Sequence, residues 1–406
     1  MRMQRFDFYL INILILFILI HGVYILFFGF TKISPADNSA PVLFHILRDI
    51  FFILFLFVII MTRRFVIPNE YIPLVILFVA ILIIFSPAIL INIETIQHAY
   101  RNFLAYMILI FIGFNLKLSK VDLNNIFRNL INFISIISFF CILTLLNDNF
   151  LWGGRVFGSL FGPNTAGTIF LLGLCLNFNN KLSFFVFFKD LLLMMALALT
   201  ASFGAIISFV VFSILFFNKI ALKKYILYFV FIMSLLILNI YFEIINISGF
   251  FSTFVNKFHA ILNGDIFTIE NRFAQHTQSL NSFLLNPLKF LIVNYEANLY
   301  ITNDSLFLQI FNNHGILSLL LFLFFIFTII QMLNKKINNV DASYIFKNRE
   351  LFNYFENFLR FFIVFFVINC SITASLFHYP INCIVWLCTG LFFNFFSQKK
   401  NTLLFK

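Results

Sequence analysis

Long apolar blocks alternate with short polar connections along nearly the whole chain. A helix crossing about 30 Å of hydrocarbon needs ~20 residues, and helices satisfy their own backbone groups where lipid offers no partner. By that measure the blocks at 8–30, 42–61, 71–90, 100–116, 126–146, 160–178, 184–200, 203–218, 225–245, 305–332, 359–376 and 381–397 predict about twelve transmembrane helices. The stretch 184–218 reads as one long bent segment or as two short helices around Ser202 and Gly204, a glycine that permits a turn without compelling one. No small-residue cleavage site follows the first block, so it is expected to stay as a membrane helix rather than act as a signal peptide.

Two polar segments are long enough to matter. Residues 334–357, with Lys335, Lys336, Asp341, Lys347, Arg349 and Glu350, form a polar cytoplasmic connection. Residues 247–304 instead mix ionisable side chains with apolar ones such as Phe250, Phe254, Phe273 and Phe283. That mixture predicts a large extracytoplasmic loop, partly helical, lying as a lid on the membrane surface.

Charge orients the bundle. With both termini cytoplasmic, every inner connection carries Lys or Arg, while the outer set is confined to Lys32, Arg48, Arg101, Arg155, Lys257, Arg272 and Lys289 out of 27 basic residues. This is the positive-inside pattern. Fusing 184–218 into one helix would put half the chain on the wrong side of it. The net charge of +11 is therefore read as a topology signal, with no nucleic-acid partner.

Composition agrees: 62% of residues are hydrophobic and 11% charged, against ~45–50% and ~25% in soluble domains. The expected fold class is an all-α polytopic membrane protein. All five cysteines fall in apolar blocks, so no disulfide framework is expected. No metal-binding spacing is seen, and no inverted repeat of the kind that marks many transporters.

Candidate chemistry gathers at outer positions. In WGGRVFGSLFGPNTAG, residues 152–167, Arg155 sits where the chain re-enters the membrane, and Gly158, Gly162, Pro163 and Gly167 interrupt the start of a helix. A planar guanidinium can hold phosphate or pyrophosphate, and exposed amides at a broken helix start can assist. The bland alternative is a snorkelling arginine beside small packing residues. Asn164 can bind a ligand or satisfy freed backbone groups. Arg101, beside His98 and Tyr100, can touch substrate or anchor headgroups.

Within the large loop, Glu270, Arg272 and His276 have spacing compatible with one helical face. Arg272 can neutralise a phosphate and His276 can bind or move a proton; a solvated polar face is the alternative. Asp304 precedes the next helix, where it can take a proton from a sugar hydroxyl or simply cap the helix. Glu296 is a second possible proton acceptor. His314, inside that helix, can face a polar cavity or bond a neighbouring helix.

Three segments in order, GRVFGSLFGPNTAG, ALTASFGA at 198–205 and NDSLFLQIFNNHGILSLLLFL after the loop, resemble the O-antigen polymerase and O-antigen ligase superfamily. The resemblance covers about 150–325. The family's Pro-Asn is matched by Pro163 and Asn164, whereas the basic residue of its Thr-x-Ser-Arg-Gly-like segment is replaced in Thr200, Ser202, Phe203 and Gly204. Ligases open the helix after the loop with a His-Asn-x-Tyr-Leu motif. Asp304, Ser305, Leu306, Phe307 and Leu308 stand there instead, with Gly315 at the later glycine.

The resemblance thus implies a polymerase of lipid-linked oligosaccharide repeat units for a surface polysaccharide, lipopolysaccharide or capsule, in a bacterial inner membrane. It implies undecaprenyl-pyrophosphate-linked sugars as substrates and no cofactor or metal. It assigns Arg155 and Arg272 to the donor pyrophosphate and Asp304 to the attacking hydroxyl, with Arg101 and Asn164 as substrate contacts; His276 and Glu296 join them as substrate contacts on residue type and location alone. A chain-length regulator is an implied partner. Ligase-type transfer and flippase or transporter activity stay open as alternatives.

Overall fold

The computed structural model describes residues 2–20, 50–55, 57–59, 61, 67–91, 107–144, 151–152, 155–156, 160, 162–180, 183–216, 224, 227–228, 267–285, 287, 291, 305–340, 348–372 and 380–403. Its elements are helical apart from one two-residue antiparallel pairing. In order they are α1 (Arg2–Ile20), a 3-10 turn (Asn69–Tyr71), α2 (Ile72–Ile91), α3 (Leu109–Asn115), α4 (Lys120–Leu143), β1 (Leu151–Trp152), β2 (Arg155–Val156), α5 (Pro163–Asn177), α6 (Phe184–Thr200) and α7 (Phe203–Leu215). Then come α8 (Phe267–Leu285), α9 (Leu306–Asn338), α10 (Arg349–Val364), a π-helical segment (Phe365–Asn369) with a last turn Cys370–Ile372, and α11 (Ile381–Leu403). Helical residues at 50–55 and 57–59 fall in the second apolar block, and most of the block 225–245 lies outside the described residues.

Among the described residues, three helices are long and apolar enough to cross a membrane: Lys120–Leu143, Leu306–Asn338 and Arg349–Ile372. Shorter apolar helices join them. The bundle leaves Ile76, Ile83, Phe139, Phe140, Phe324 and Phe327 exposed on helix surfaces, a disposition that suits lipid and not water. The chain is a helical membrane protein.

Local chemistry sets the helix ends. Ser119 opens α4 with a capping box: its hydroxyl accepts from Asp122 N at 3.1 Å while its own amide donates to Asp122 Oδ2 at 2.9 Å. Ser183 caps α6 by accepting from Val186 N. Pro163 stands at the first position of α5, where its missing N–H is no loss. The turn between α6 and α7 is made by Ala201, at φ 44°, with Ser202 after it. Gly204 is helical, so the turn falls three residues earlier than that glycine.

Residues that the charge pattern places on the cytoplasmic side meet at one end of the bundle. Lys336 Nζ lies 2.8 Å from Glu70 Oε1, Arg128 pairs with Glu350 at 3.1 Å, and Lys117 N donates to Asp7 Oδ2 at 2.7 Å. At the same end Lys224, one of the basic residues that the charge pattern counts as cytoplasmic, is buried. Its Nζ reaches Asp190 Oδ2 at 3.3 Å and the carbonyl of Asn177 at 3.1 Å, so it also answers the C-terminal end of α5. Tyr228 Oη donates to the same carboxylate at 2.6 Å, and Asn177 Nδ2 donates to its other oxygen.

The described residues of the polar connection expected at 334–357 are largely helical. α9 continues to Asn338 and α10 starts at Arg349. The reason is amphipathicity: Arg349, Asn353, Glu356 and Arg360 recur at helical spacing, while Leu351, Phe352, Phe355 and Phe358 are buried on the other side. A hydropathy average cancels such a pattern. Elsewhere α3 and α11 cross at Gly113 and Gly390, and Asn394 Nδ2 donates to the carbonyls at the end of α3.

Candidate functional site

The site is assembled at the other end of the bundle, from helix starts and helix breaks. α6 has 17 residues and α7 has 13. At 1.5 Å per residue these span about 25 Å and about 20 Å, short of the ~30 Å hydrocarbon. The Thr200–Ser202 turn joins these two short helices, and both side chains are buried. α5 approaches this turn closely. A Cβ on Gly167 would lie 2.6 Å from Ser202 Cβ and 3.0 Å from Thr200 Oγ1, so only glycine fits.

α10 passes into five residues of π-helix, ending at the buried Asn369. Its Oδ1 comes within 3.5 Å of Thr168 Oγ1, whose hydroxyl donates to the Asn164 carbonyl at 2.8 Å. Single π turns inside α-helices recur at functional sites because they rotate a side chain out of register.

The largest departure is in α9. Gly315 has φ 84° and ψ 174°, which breaks the helix in two. That region is essentially open to glycine alone. Ser318 Oγ answers the carbonyl of His314 at 2.7 Å, and Leu317 N reaches the carbonyl of Leu291, in the segment that precedes α9, at 3.4 Å. Gln309, Asn312, Asn313 and His314 are all buried on the turns just before the break. Buried polar residues inside a membrane protein are expensive and usually serve a path or a site.

α8, the helical part of the large loop, docks on this region. Asn312 Nδ2 donates to Ser279 Oγ at 2.9 Å, and Phe283 and Phe311 meet edge to face. Positions 272, 276 and 279 follow helical spacing, i, i+4 and i+7, along α8. His276 is exposed.

The predicted residues fall as follows. Arg155 pairs with Trp152 in the β1–β2 bridge, and β2 packs against α6. Asn164 is half-buried in the first turn of α5. Arg272 and His276 lie on α8. Arg101, Glu296 and Asp304 lie outside the described residues. One reading is corrected: the cap of α9 is Ser305, whose Oγ accepts from Leu308 N, so Asp304 is not the N-cap residue. Pro163 stands at the start of α5. Sequence reasoning took 305–332 as continuous and missed the break, although the Asn-Asn-His-Gly run inside an apolar block is the signal that could have found it.

A Gly315→Ala variant should be strained by roughly 1–3 kcal/mol, the usual range for a side chain in a glycine-only conformation. The expected readout is a lower thermal midpoint in detergent. An unchanged midpoint would show that the break does not depend on the glycine conformation.

No protein-family model matches the chain, and no curated protein matches it.

Proposed function

We propose that the chain polymerises lipid-linked oligosaccharide repeat units of a bacterial surface polysaccharide at the outer face of the inner membrane. The observation that carries this reading is the broken helix α9: a buried polar turn at Asn312–Gly315, directly after the large loop, with that loop's helix docked on it. Polar groups at such a break, with apolar helix surfaces around them, suit a substrate that has a saccharide head and a polyprenyl tail. A ligand-free scaffold has no need of them.

In the proposed step a hydroxyl of the acceptor's sugar attacks the donor's anomeric carbon. The bond from that carbon to the pyrophosphate oxygen breaks, and the lipid pyrophosphate leaves with the electron pair. Arg155 and Arg272 offset the charge that builds on it. Asp304 takes the hydroxyl proton, a role left open to it because Ser305 supplies the cap. Arg101, Asn164, His276 and Glu296 hold the saccharide and its phosphates. The twelve-span topology with both termini cytoplasmic belongs to the same proposal, since it puts the loop and the break on one outer surface. Replacement of the ligase motif's histidine by Asp304 favours polymerisation over ligation.

The test is chain extension by purified protein given a defined undecaprenyl-pyrophosphate-linked repeat unit. Arg155→Ala and Arg272→Ala should each slow extension about tenfold or more, the worth of a charged hydrogen bond. Asp304→Asn should also slow it. Normal extension by all three stably inserted variants removes the proposed roles. Transfer to a core lipid without extension would establish a ligase, and movement of the lipid-linked sugar across a vesicle without bond formation a transporter.

A further inference from the structure

At the basic end of the bundle, away from the α9 break, α4, the end of α5, the start of α6 and the start of α10 enclose a cleft of about 440 Å³, within the ~300–1,000 Å³ range of small-molecule sites. We infer that this cleft binds the phosphate headgroup of an anionic phospholipid, held between Lys189 and Arg349.

Charge comes first. The walls carry Arg128, Lys189 and Arg349 against a single carboxylate, Glu350. Glu350 is engaged by Arg128 at 3.1 Å, with both side chains about half exposed. Lys189 Nζ bonds only a neutral oxygen, Asn132 Oδ1, at 2.6 Å, and Arg349 makes no ion pair among the described residues. Two cations therefore face the cleft without a carboxylate of their own. Asn179, Asn180 and Asn353 also line it, so amide donors are at hand. Such a wall suits a phosphodiester.

The surroundings select a lipid over free phosphate. Ile131 and Val186 also line the cleft. Phe184, Phe185 and Phe188, on the first turns of α6, are exposed beside Lys189. On α4 the positions Asn132, Ile136 and Phe140 follow at four-residue spacing, and Ile136 and Phe140 are exposed. One continuous surface thus runs from basic cleft to apolar helix face, matching headgroup and acyl chains. A free phosphate would use only the first part.

Native mass spectrometry of the full-length protein in detergent, titrated with phosphatidylglycerol or with phosphatidylcholine of the same chains, tests this. Wild type should retain phosphatidylglycerol preferentially, and inorganic phosphate in large excess should not displace it. Lys189→Gln and Arg349→Gln should each weaken retention about fivefold and together about 30-fold, the worth of basic side chains near an anionic surface. Lys189→Arg and Arg349→Lys should keep it. Full retention by the double variant, or displacement by inorganic phosphate, overturns the assignment. If the double variant does not fold, the wild-type comparison still decides: equal retention of the two lipids overturns it.

Discussion

Replacing Lys224 by methionine should destabilise the folded protein by roughly 3–5 kcal/mol, the usual cost of removing one partner of a buried ion pair. The reason is the Asp190 carboxylate that remains. It is buried, and it gathers Lys224 Nζ, Tyr228 Oη and Asn177 Nδ2 around its two oxygens. Without the ammonium, the two neutral donors must hold an anion away from water. The carbonyls of Asn177 and Phe178 at the end of α5 lose a partner as well. The double variant Asp190→Asn, Lys224→Met removes both charges and leaves Tyr228 and Asn177 an amide to bond. It should therefore recover most of the loss. Thermal midpoints in one detergent, read as a double-mutant cycle, check this. A single variant as stable as wild type, or a double variant as damaged as the sum of the singles, would overturn the account.

Gly390→Val should be comparably damaging, at roughly 3 kcal/mol. A Cβ on Gly390 would lie 2.3 Å from the carbonyl oxygen of Ile110, and one on Gly113 would lie 2.9 Å from the Gly390 carbonyl carbon. These neighbours are backbone, so no side chain can swing aside and the two helices must separate. Separation also takes Asn394 from the carbonyls of Gly113, Phe114 and Leu116, which it satisfies at the end of α3. Small residues at helix crossings in membranes serve this close approach. Gly390→Ala should already lower the thermal midpoint, and valine should lower it further. Wild-type midpoints for both would overturn the close crossing at Gly113 and Gly390.

Much of this architecture is legible one segment at a time. Apolar blocks at 71–90 and 184–200 coincide closely with α2 and α6, and the block at 126–146 overlaps α4, which starts earlier, at Lys120, because a helix in lipid needs only its own backbone to satisfy its amides. A helix within the polar segment 247–304 was legible from the spacing of Glu270, Arg272 and His276. The start of α10 was not, since a strongly amphipathic segment averages to a polar one. For the candidate site the sequence offers a list of cations and a Pro-Asn start, but not a place. What defines the place is the Gly315 break, the π turn before Cys370 and the Gly167 contact with Ser202, none of which changes mean hydropathy.

The sequence by itself determined that the chain is helical and membrane-bound, and which end of the bundle is basic, since block length and the sign of loop charges are local properties. Only the tertiary structure decided that Lys224 is buried on Asp190 rather than solvated, that Arg128 meets Glu350 from 222 residues away, and that Lys189 and Arg349 share a cleft. Each of these depends on which remote side chain arrives beside a given one. A charge's partner and its exposure are set by the packing of whole helices, and a one-dimensional pattern of apolar and polar positions carries no term for either.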